Sequence, residues 1–280
     1  MSGYKSFAVV GGGTIGLPIL AALAEQGVSV VLLARPESDP KTVPDGVPIV
    51  RVDYADVAAL AAAFTAHKVD VVLSTLTTYA VGAQKPLVDA AKLAHVKLFV
   101  PSEYGMPTEG HGGLLGMKAE IAGYVKSVGI PSVRFYTGIF SEIVPWLVGY
   151  HEHGIVRIIG KGTAPVSFTA VPDIAGFVAH VLTTLPPAEL EDRVFRLEGE
   201  RLCMNDIGAL LGTTVEQVES IGGDKGETQT YLLTVMDTGA GSTGWDPAKG
   251  ADGEGSDAAG SANALWPGHQ WKSIKDVNKL

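Results

Sequence analysis

A glycine-rich turn near the start of the chain constrains the fold more than any other feature. Four apolar residues, 7–10, run directly into Gly-Gly-Gly-Thr-Ile-Gly at 11–16, and apolar residues recur with helical spacing over 17–26. The first, third and sixth residues of the turn fit G-x-G-x-x-G. In that pattern the first glycine permits the turn, the second lets the backbone approach a pyrophosphate, and the third lets the helix pack on the strand. The helix N-terminus adds N–H donors for phosphate. The residues predicted to bind a dinucleotide here are Gly11, Gly13, Thr14, Ile15 and Gly16.

Strand and helix patterns alternate from this turn to residue 138. Continuous apolar runs of strand length are typical of parallel strands that are covered on both faces. The predicted strands are 7–10, 28–33, 47–52, 69–73, 96–100 and 131–136. The predicted helices between them are 17–26, 57–66, 86–94 and 114–127. This alternation predicts an α/β protein with a doubly wound parallel Rossmann sheet over residues 1–138.

The regular alternation is lost after residue 138. Short strand and helix patterns over 139–280 predict a smaller, mixed C-terminal substrate lobe, with elements that return to the core. Residues 237–262 are rich in Gly, Ala, Ser and Asp and have few apolar residues. We interpret that segment as a long mobile surface loop.

The residue that closes the second predicted strand indicates which dinucleotide binds. NAD-binding folds usually place an acid there for the ribose 2′-hydroxyl, whereas this chain has Arg35. A guanidinium pairs with a 2′-phosphate, and Ser38 and Lys41 in the same loop are close enough in sequence to assist. These residues predict NADP as the cofactor. The alternative is that Arg35 is a solvated surface residue.

Two hydroxyl residues, Ser74 and Thr75, follow the fourth predicted strand. Open α/β sheets bind their ligands beyond the carboxyl ends of the strands, so we assign both residues to the cofactor cleft. Helix-capping hydroxyls would explain the same pair equally well.

Four stretches occur in a characteristic order. They are the glycine turn with Arg35, the segment 69–75, the segment 96–106 with its Pro-Ser-Glu-Tyr-Gly, and the lysine-bearing helix that leads to Gly-Ile-Pro at 129–131. With them the chain resembles the NmrA-like group of atypical short-chain dehydrogenases/reductases, especially the isoflavone reductase and phenylcoumaran benzylic ether reductase family. The resemblance implies that Lys118 is the catalytic acid/base. Without it, a lysine within a helix would be interpreted as an exposed, solubilising residue.

Other catalytic patterns are missing from the sequence. The Tyr-x-x-x-Lys of ordinary short-chain reductases is absent, since position 114 is leucine. No G-x-S-x-G motif supports a serine hydrolase. The one close histidine pair, His151 and His153, has no neighbouring cysteine or acid to complete a metal site, so we expect no metal.

Composition restricts the class of partner and the compartment. The net charge of −9 argues against binding to nucleic acid or to an anionic membrane. No apolar run approaches the ~18 residues that span a bilayer. The single cysteine, Cys203, suits a reducing compartment, and the first strand follows the N-terminus with no room for a signal peptide, so we expect a cytoplasmic protein.

Two functions fit these features. The first is an NADPH-dependent oxidoreductase that reduces a small, apolar, aromatic substrate by hydride transfer, with Lys118 as acid/base. The second is a non-catalytic, NADP-sensing regulatory protein that binds a protein partner, for which the segment 237–262 would be a candidate contact. Both predict NADP binding.

Overall fold

The computed structural model describes residues 3–280, which divide into two compact units. The first unit holds the described residues up to Glu103, Thr108–Arg134 and Ile174–Val194. The second holds Tyr104–Pro107, Phe135–Asp173 and Phe195–Leu280. This division does not coincide with a single break at residue 138, because the chain passes between the units several times.

A five-stranded parallel sheet forms the centre of the first unit. Its strands are β1 (Ser6–Val10), β2 (Ser29–Ala34), β3 (Ile49–Arg51), β4 (Val71–Ser74) and β5 (Leu98–Val100). Their order is β3-β2-β1-β4-β5, and every pairing is parallel. A parallel bridge from Phe99 to Ser132 places the residue before β6 (Val133–Tyr136) beside β5. The predicted α/β class and doubly wound parallel sheet are therefore confirmed.

Helices cover the sheet and complete the core of the first unit. They are α1 (Gly16–Glu25), α2 (Val57–Ala66), α3 (Gln84–Leu93) and α4 (Gly113–Val128), with a 3-10 helix at Thr78–Ala83. Leu60 and Phe64 of α2, Val88 of α3 and Val125 of α4 pack with Phe99 of β5 in one buried cluster. Asp56 begins α2 by accepting a hydrogen bond from the Ala59 amide. The carboxyl ends of the strands are thereby held in fixed positions.

The second unit is built from short elements. Its helices include α5 (Val144–Leu147), α6 (Tyr150–His153), α8 (Asp206–Leu210), α9 (Gly226–Val235) and α10 (Ile274–Asn278), while α7 (Val171–Thr184) belongs mostly to the first unit. Its strands include β7 (Ile139–Phe140), β8 (Val156–Ile158), β9 (Pro165–Thr169), β11 (Glu200–Cys203), β12 (Val215–Gln217), β13 (Trp245–Asp246) and β14 (Ala251–Asp252). Strand β10 (Arg193–Arg196) pairs with β6, and the other sheets are β11-β9-β7, β12-β8 and β13-β14.

The prediction of a long surface loop over 237–262 is wrong for part of the segment. A π-helical turn (Met236–Ala240) and strands β13 and β14 lie in this segment, and residues 239–244 are buried. The Thr243 amide donates to the Ser167 hydroxyl at 3.0 Å, and both residues are fully buried. A Cβ on Gly241 would come within 2.9 Å of Met236 and Val166. The small residues thus permit close packing. Composition alone had suggested that they form a loop.

No helix among residues 3–280 is both long enough and apolar enough to cross a membrane.

Candidate functional site

The glycine turn connects β1 to α1 with backbone geometry that glycine favours. Gly11 has φ +104°, a conformation that residues with a Cβ rarely adopt. A Cβ on Gly16 would lie 2.0 Å from the Gly11 carbonyl oxygen and 2.5 Å from the Thr75 hydroxyl. By contrast, a Cβ on Gly13 would meet no atom within 4 Å. The sixth residue of the turn therefore serves close packing, while the third borders open space.

The start of α1 has the properties of an anion site. No side chain caps the helix, and its first turn holds no acidic residue. Its partial positive charge is therefore available to a phosphate. Thr14, exposed, and Ile15, buried, precede the helix.

A cavity of about 450 Å³ opens beside the glycine turn, within the first unit. It brings together five of the predicted cofactor residues: Gly11, Gly13, Arg35, Lys41 and Thr75. Ser38, expected to assist Arg35, lines it as well, whereas sequence reasoning missed other lining residues, among them Gly12, Asp53, Tyr54, Leu76 and Thr77. Thr14, Ile15, Gly16 and Ser74 do not line it.

The two hydroxyl residues after β4 have different surroundings. The Thr75 hydroxyl lies 2.7 Å from the Gly11 carbonyl oxygen and 3.0 Å from that of Val10, so it stabilises the turn by hydrogen bonding. Ser74 is fully buried, and its hydroxyl has no hydrogen-bond partner among the described residues. Ser74 therefore does not line the cavity, and its assignment to the cofactor cleft stays a prediction.

Cationic and hydroxyl groups gather on one side of the cavity. The Arg35 guanidinium lies 3.3 Å from the Glu37 carboxylate, in a pair whose side chains are both more than half exposed. The Ser38 hydroxyl donates to the Arg35 carbonyl at 2.8 Å. The Lys41 side chain lies against the turn, since a Cβ on Gly12 would be 3.3 Å from its Cγ. Two cations and a hydroxyl in one loop suit an anionic ligand.

Arg51 holds the loop that carries these groups. It is the last residue of β3, paired in register with Ala34 of β2. Its Nη1 donates to three carbonyl oxygens, those of Arg35 (3.2 Å), Pro36 (2.9 Å) and Ser38 (2.8 Å). No sequence motif identifies this contact, because the partners are backbone atoms that any residue would supply.

Asp53 and Tyr54 form another part of the wall. The Tyr54 hydroxyl donates to the Leu33 carbonyl at 2.9 Å, and burial raises the pKa of this phenol to about 12. Asp53 accepts a hydrogen bond from the Ala55 amide at 2.9 Å. The segment is thus fixed against β2 with a carboxylate at the cavity.

Lys118 lies in the second turn of α4 and does not line the cavity. The side chain is partly buried, and its amine donates to the Glu103 carbonyl oxygen at 2.5 Å. Burial lowers the pKa of Lys118, and the nearby Glu103 carboxylate raises it in part. The lysine is therefore not a simple solvated residue, and a lowered pKa suits a group that exchanges protons.

The Glu103 side chain is almost fully buried in an ion pair with Arg134 of β6. Its Oε1 lies 2.8 Å from the Arg134 Nε and 2.6 Å from Nη2. Glu103 belongs to the Pro-Ser-Glu-Tyr-Gly segment, so its place in that motif was a signal that could have singled it out.

Among residues 3–280, no group of three or more His, Cys, Asp and Glu side chains is arranged to hold a metal ion.

A family model and curated relatives match much of the chain. The sequence model of the NmrA-like family matches residues 4–219. An oxidoreductase, aprR, from Aspergillus flavus is 35% identical over 218 residues, which cover 72% of this chain and 71% of the relative. A dehydrogenase of Aspergillus novofumigatus, asnovolin J 5′,6′-dehydrogenase nvfM, is 28% identical over 137 residues, covering 45% of this chain and 41% of the relative.

Solved structures share the fold at low sequence identity. Leucoanthocyanidin reductase from Vitis vinifera, in a ternary complex, has a TM-score of 0.74 at 19% identity and covers 98% of each chain. AtPrR2 with NADP⁺ and (+)pinoresinol has a TM-score of 0.73 at 21% identity, covering 99% of this chain and 98% of that one. An isoflavone reductase has a TM-score of 0.74 at 20% identity, covering 99% of each. With the match over residues 4–219, the chain belongs to the NmrA-like family.

Proposed function

We propose that this protein is an NADP-dependent oxidoreductase that reduces a small, apolar, aromatic substrate, with Lys118 as the proton donor. The observation that carries the proposal is the cavity beside the glycine turn, where Arg35, Ser38 and Lys41 border the same space. The names of the relatives agree with it, since aprR is an oxidoreductase and AtPrR2 was solved with NADP⁺.

The cavity fits the adenosine and phosphate part of NADP. Gly13 borders open space beside an uncapped helix N-terminus, so the turn can accept a pyrophosphate. Arg35 and Lys41 would hold the 2′-phosphate, which NAD lacks. When bound as NADPH, the cofactor supplies the hydride.

The role of Lys118 follows from its surroundings. The Glu103 carbonyl fixes the amine in one place, and the lowered pKa makes its proton easier to release than that of a solvated lysine. An acid must be protonated to act, so the rate of reduction should fall as pH rises through this lowered pKa. The decline should therefore begin below the range of an ordinary lysine.

The regulatory alternative loses the feature that favoured it. That feature was a mobile segment at 237–262, and residues 239–244 within it are buried. Lys118 also has surroundings suited to proton transfer, which a sensor does not require. We therefore favour the enzyme.

The test is NADPH oxidation with a panel of aromatic alkenes, ethers, quinones and carbonyls. Lys118→Met keeps the apolar stem but removes the amine, and we expect a loss of about 100-fold or more in kcat, the usual contribution of a general acid. NADPH affinity should stay unchanged. Lys126→Met is a matched control, since Lys126 is exposed in the last turn of the same helix.

Equal rates for wild type and Lys118→Met would remove Lys118 from the mechanism. Absence of NADPH oxidation by the wild type across the whole panel would contradict the proposed activity.

A further inference from the structure

The ion pair between Glu103 and Arg134 lies in an unusual place for a charged pair. The Glu103 side chain is 1% exposed and that of Arg134 is 13% exposed. Both Nε and Nη2 of the guanidinium converge on a single carboxylate oxygen, while Glu103 Oε2 has no hydrogen-bond partner among residues 3–280. Burying two charges costs free energy that pairing repays only with good geometry, so such a pair is weak evidence for a purely stabilising role.

Arg134 fixes both ends of one segment. Besides Glu103, it donates to the Thr108 hydroxyl at 2.7 Å and pairs with the Glu109 carboxylate. One guanidinium therefore contacts the residues that begin and end the segment 103–109. Its planar arrangement of donors permits this, whereas an ammonium group would not reproduce it.

The backbone before Glu103 is also held on every side. The Ser102 amide donates to the Gln84 side chain at 2.8 Å, and the Ser102 hydroxyl donates to the Leu76 carbonyl at 2.7 Å. The Glu103 amide donates to the Pro101 carbonyl at 2.8 Å. The Glu103 carbonyl, which accepts the hydrogen bond from Lys118, thus projects from an immobilised piece of chain.

We propose that Glu103 and Arg134 are positioning residues for Lys118: their ion pair fixes the Glu103 peptide carbonyl, and that carbonyl holds the lysine amine for proton transfer. This inference rests on the proposed function of Lys118. It adds two residues that act through Lys118 and need not touch the substrate.

The charge of Glu103 has a second effect. Helix α4 packs against α3 and the 3-10 helix at 78–83. Other titratable or charged side chains on or beside these elements are Tyr79, Lys85, Asp89, Lys92, Glu109, His111, Glu120, Tyr124 and Lys126. Lys85 and Asp89 contact Tyr124, more than one turn beyond Lys118. Glu103 is the group whose charge acts on Lys118, and it raises the lysine pKa against the effect of burial.

The first test is a titration of the Lys118 amine by NMR in cofactor-free protein with isotopically labelled lysine, the signal being assigned through Lys118→Met. Glu103→Gln keeps the side-chain size and an oxygen acceptor for Arg134 but removes the charge. We expect the pKa of Lys118 to fall, and the pH at which kcat declines to fall with it. Glu216→Gln is the control, because Glu216 forms a more exposed pair with Arg157 in the second unit. It should shift neither value.

The second variant tests geometry rather than charge. Arg134→Lys keeps the positive charge but loses the convergent donors, so we expect kcat to fall about tenfold or more while KM for NADPH is unchanged. It also provides the readout if Glu103→Gln does not fold.

An unchanged Lys118 titration and pH profile in folded Glu103→Gln, or an unchanged kcat in Arg134→Lys, would overturn the inference. The titration needs neither substrate nor cofactor. Its failure is therefore distinguishable from a failure of Lys118 as the acid, which the Lys118→Met assay detects.

Discussion

At the scale of single residues, two glycines of one turn perform different physical tasks. Gly16 borders the Gly11 carbonyl so closely that a methyl group would overlap it, whereas Gly13 borders open space. The G-x-G-x-x-G spacing predicts both glycines but does not indicate how replacing each would change stability or NADPH binding. That difference gives a test within one motif.

We expect Gly16→Ala to lower the free energy of unfolding by roughly 1–3 kcal/mol, the usual cost of overpacking, and to weaken NADPH binding as well. Gly13→Ala should leave stability close to wild type but still weaken NADPH binding, because its methyl group enters the space we assign to the pyrophosphate. Chemical denaturation and calorimetric titration measure the two effects, and each variant is the control for the other. Equal losses of stability in both variants would contradict this division of roles.

Site residues that belong to a known sequence motif could be predicted from the sequence. Residues whose role depends on contacts made in the folded chain could not. Gly11, Gly13, Arg35, Lys41 and Thr75 follow from motif spacing and strand ends, and they line one cavity. Arg51 and Arg134 look like ordinary strand residues in the sequence. Their partners are backbone carbonyls and side chains 13 to 31 positions away, which only the fold brings together.

At the scale of elements, β3 places Arg51 beneath the loop after β2. The three carbonyls that it binds belong to residues 35–38, so the guanidinium sets the conformation of the loop that presents Arg35 and Ser38. Loss of Arg51 should therefore weaken binding of the 2′-phosphate more than binding of the rest of the cofactor.

We expect Arg51→Met to weaken NADPH binding about 5- to 30-fold, corresponding to one or two net hydrogen bonds at about 1 kcal/mol each, with a smaller effect on NADH. Arg193→Met is the control, since Arg193 is an exposed strand arginine elsewhere in the same unit. Calorimetric titration of both nucleotides gives the ratio. An equal loss for NADPH and NADH would show that Arg51 supports the whole site rather than the phosphate loop.

Apolar runs identified the elements of the first unit well, since strands buried on both faces have a continuous apolar sequence. The segment 237–262 shows the opposite case. Its small residues suggested a loop, yet Gly241 packs so closely against Val166 that a larger side chain would not fit. Composition does not distinguish a residue that is small because it is exposed from one that is small because it is crowded.

At the scale of the whole molecule, the sequence predicts the first unit far better than the boundary between the two. Local spacing identifies each strand and helix in turn, but the segment Ile174–Val194 belongs with the glycine turn despite lying far along the chain. The sequence predicts that elements of 139–280 return to the core, but which of them do so depends on long-range packing, for which it carries no local signal.

The distribution of charge over the whole molecule also differs from what the total charge suggests. The chain has a net charge of −9, yet the cavity beside the turn borders two cations of one loop, Arg35 and Lys41. The total charge argues against large anionic partners, while a local pair of cations still suits a phosphorylated small molecule. These two cations are therefore the basis for predicting that the protein selects NADP over NAD.

The most direct test is calorimetric measurement of the dissociation constants of NADPH and NADH for wild type and Arg35→Ala. We predict that the wild type binds NADPH about 10- to 100-fold more tightly than NADH, as expected for one or two charge-assisted contacts to the 2′-phosphate. Arg35→Ala should remove most of that preference by weakening NADPH alone. Equal affinities of the wild type for the two nucleotides, or equal weakening of both by Arg35→Ala, would contradict the selection of NADP by Arg35.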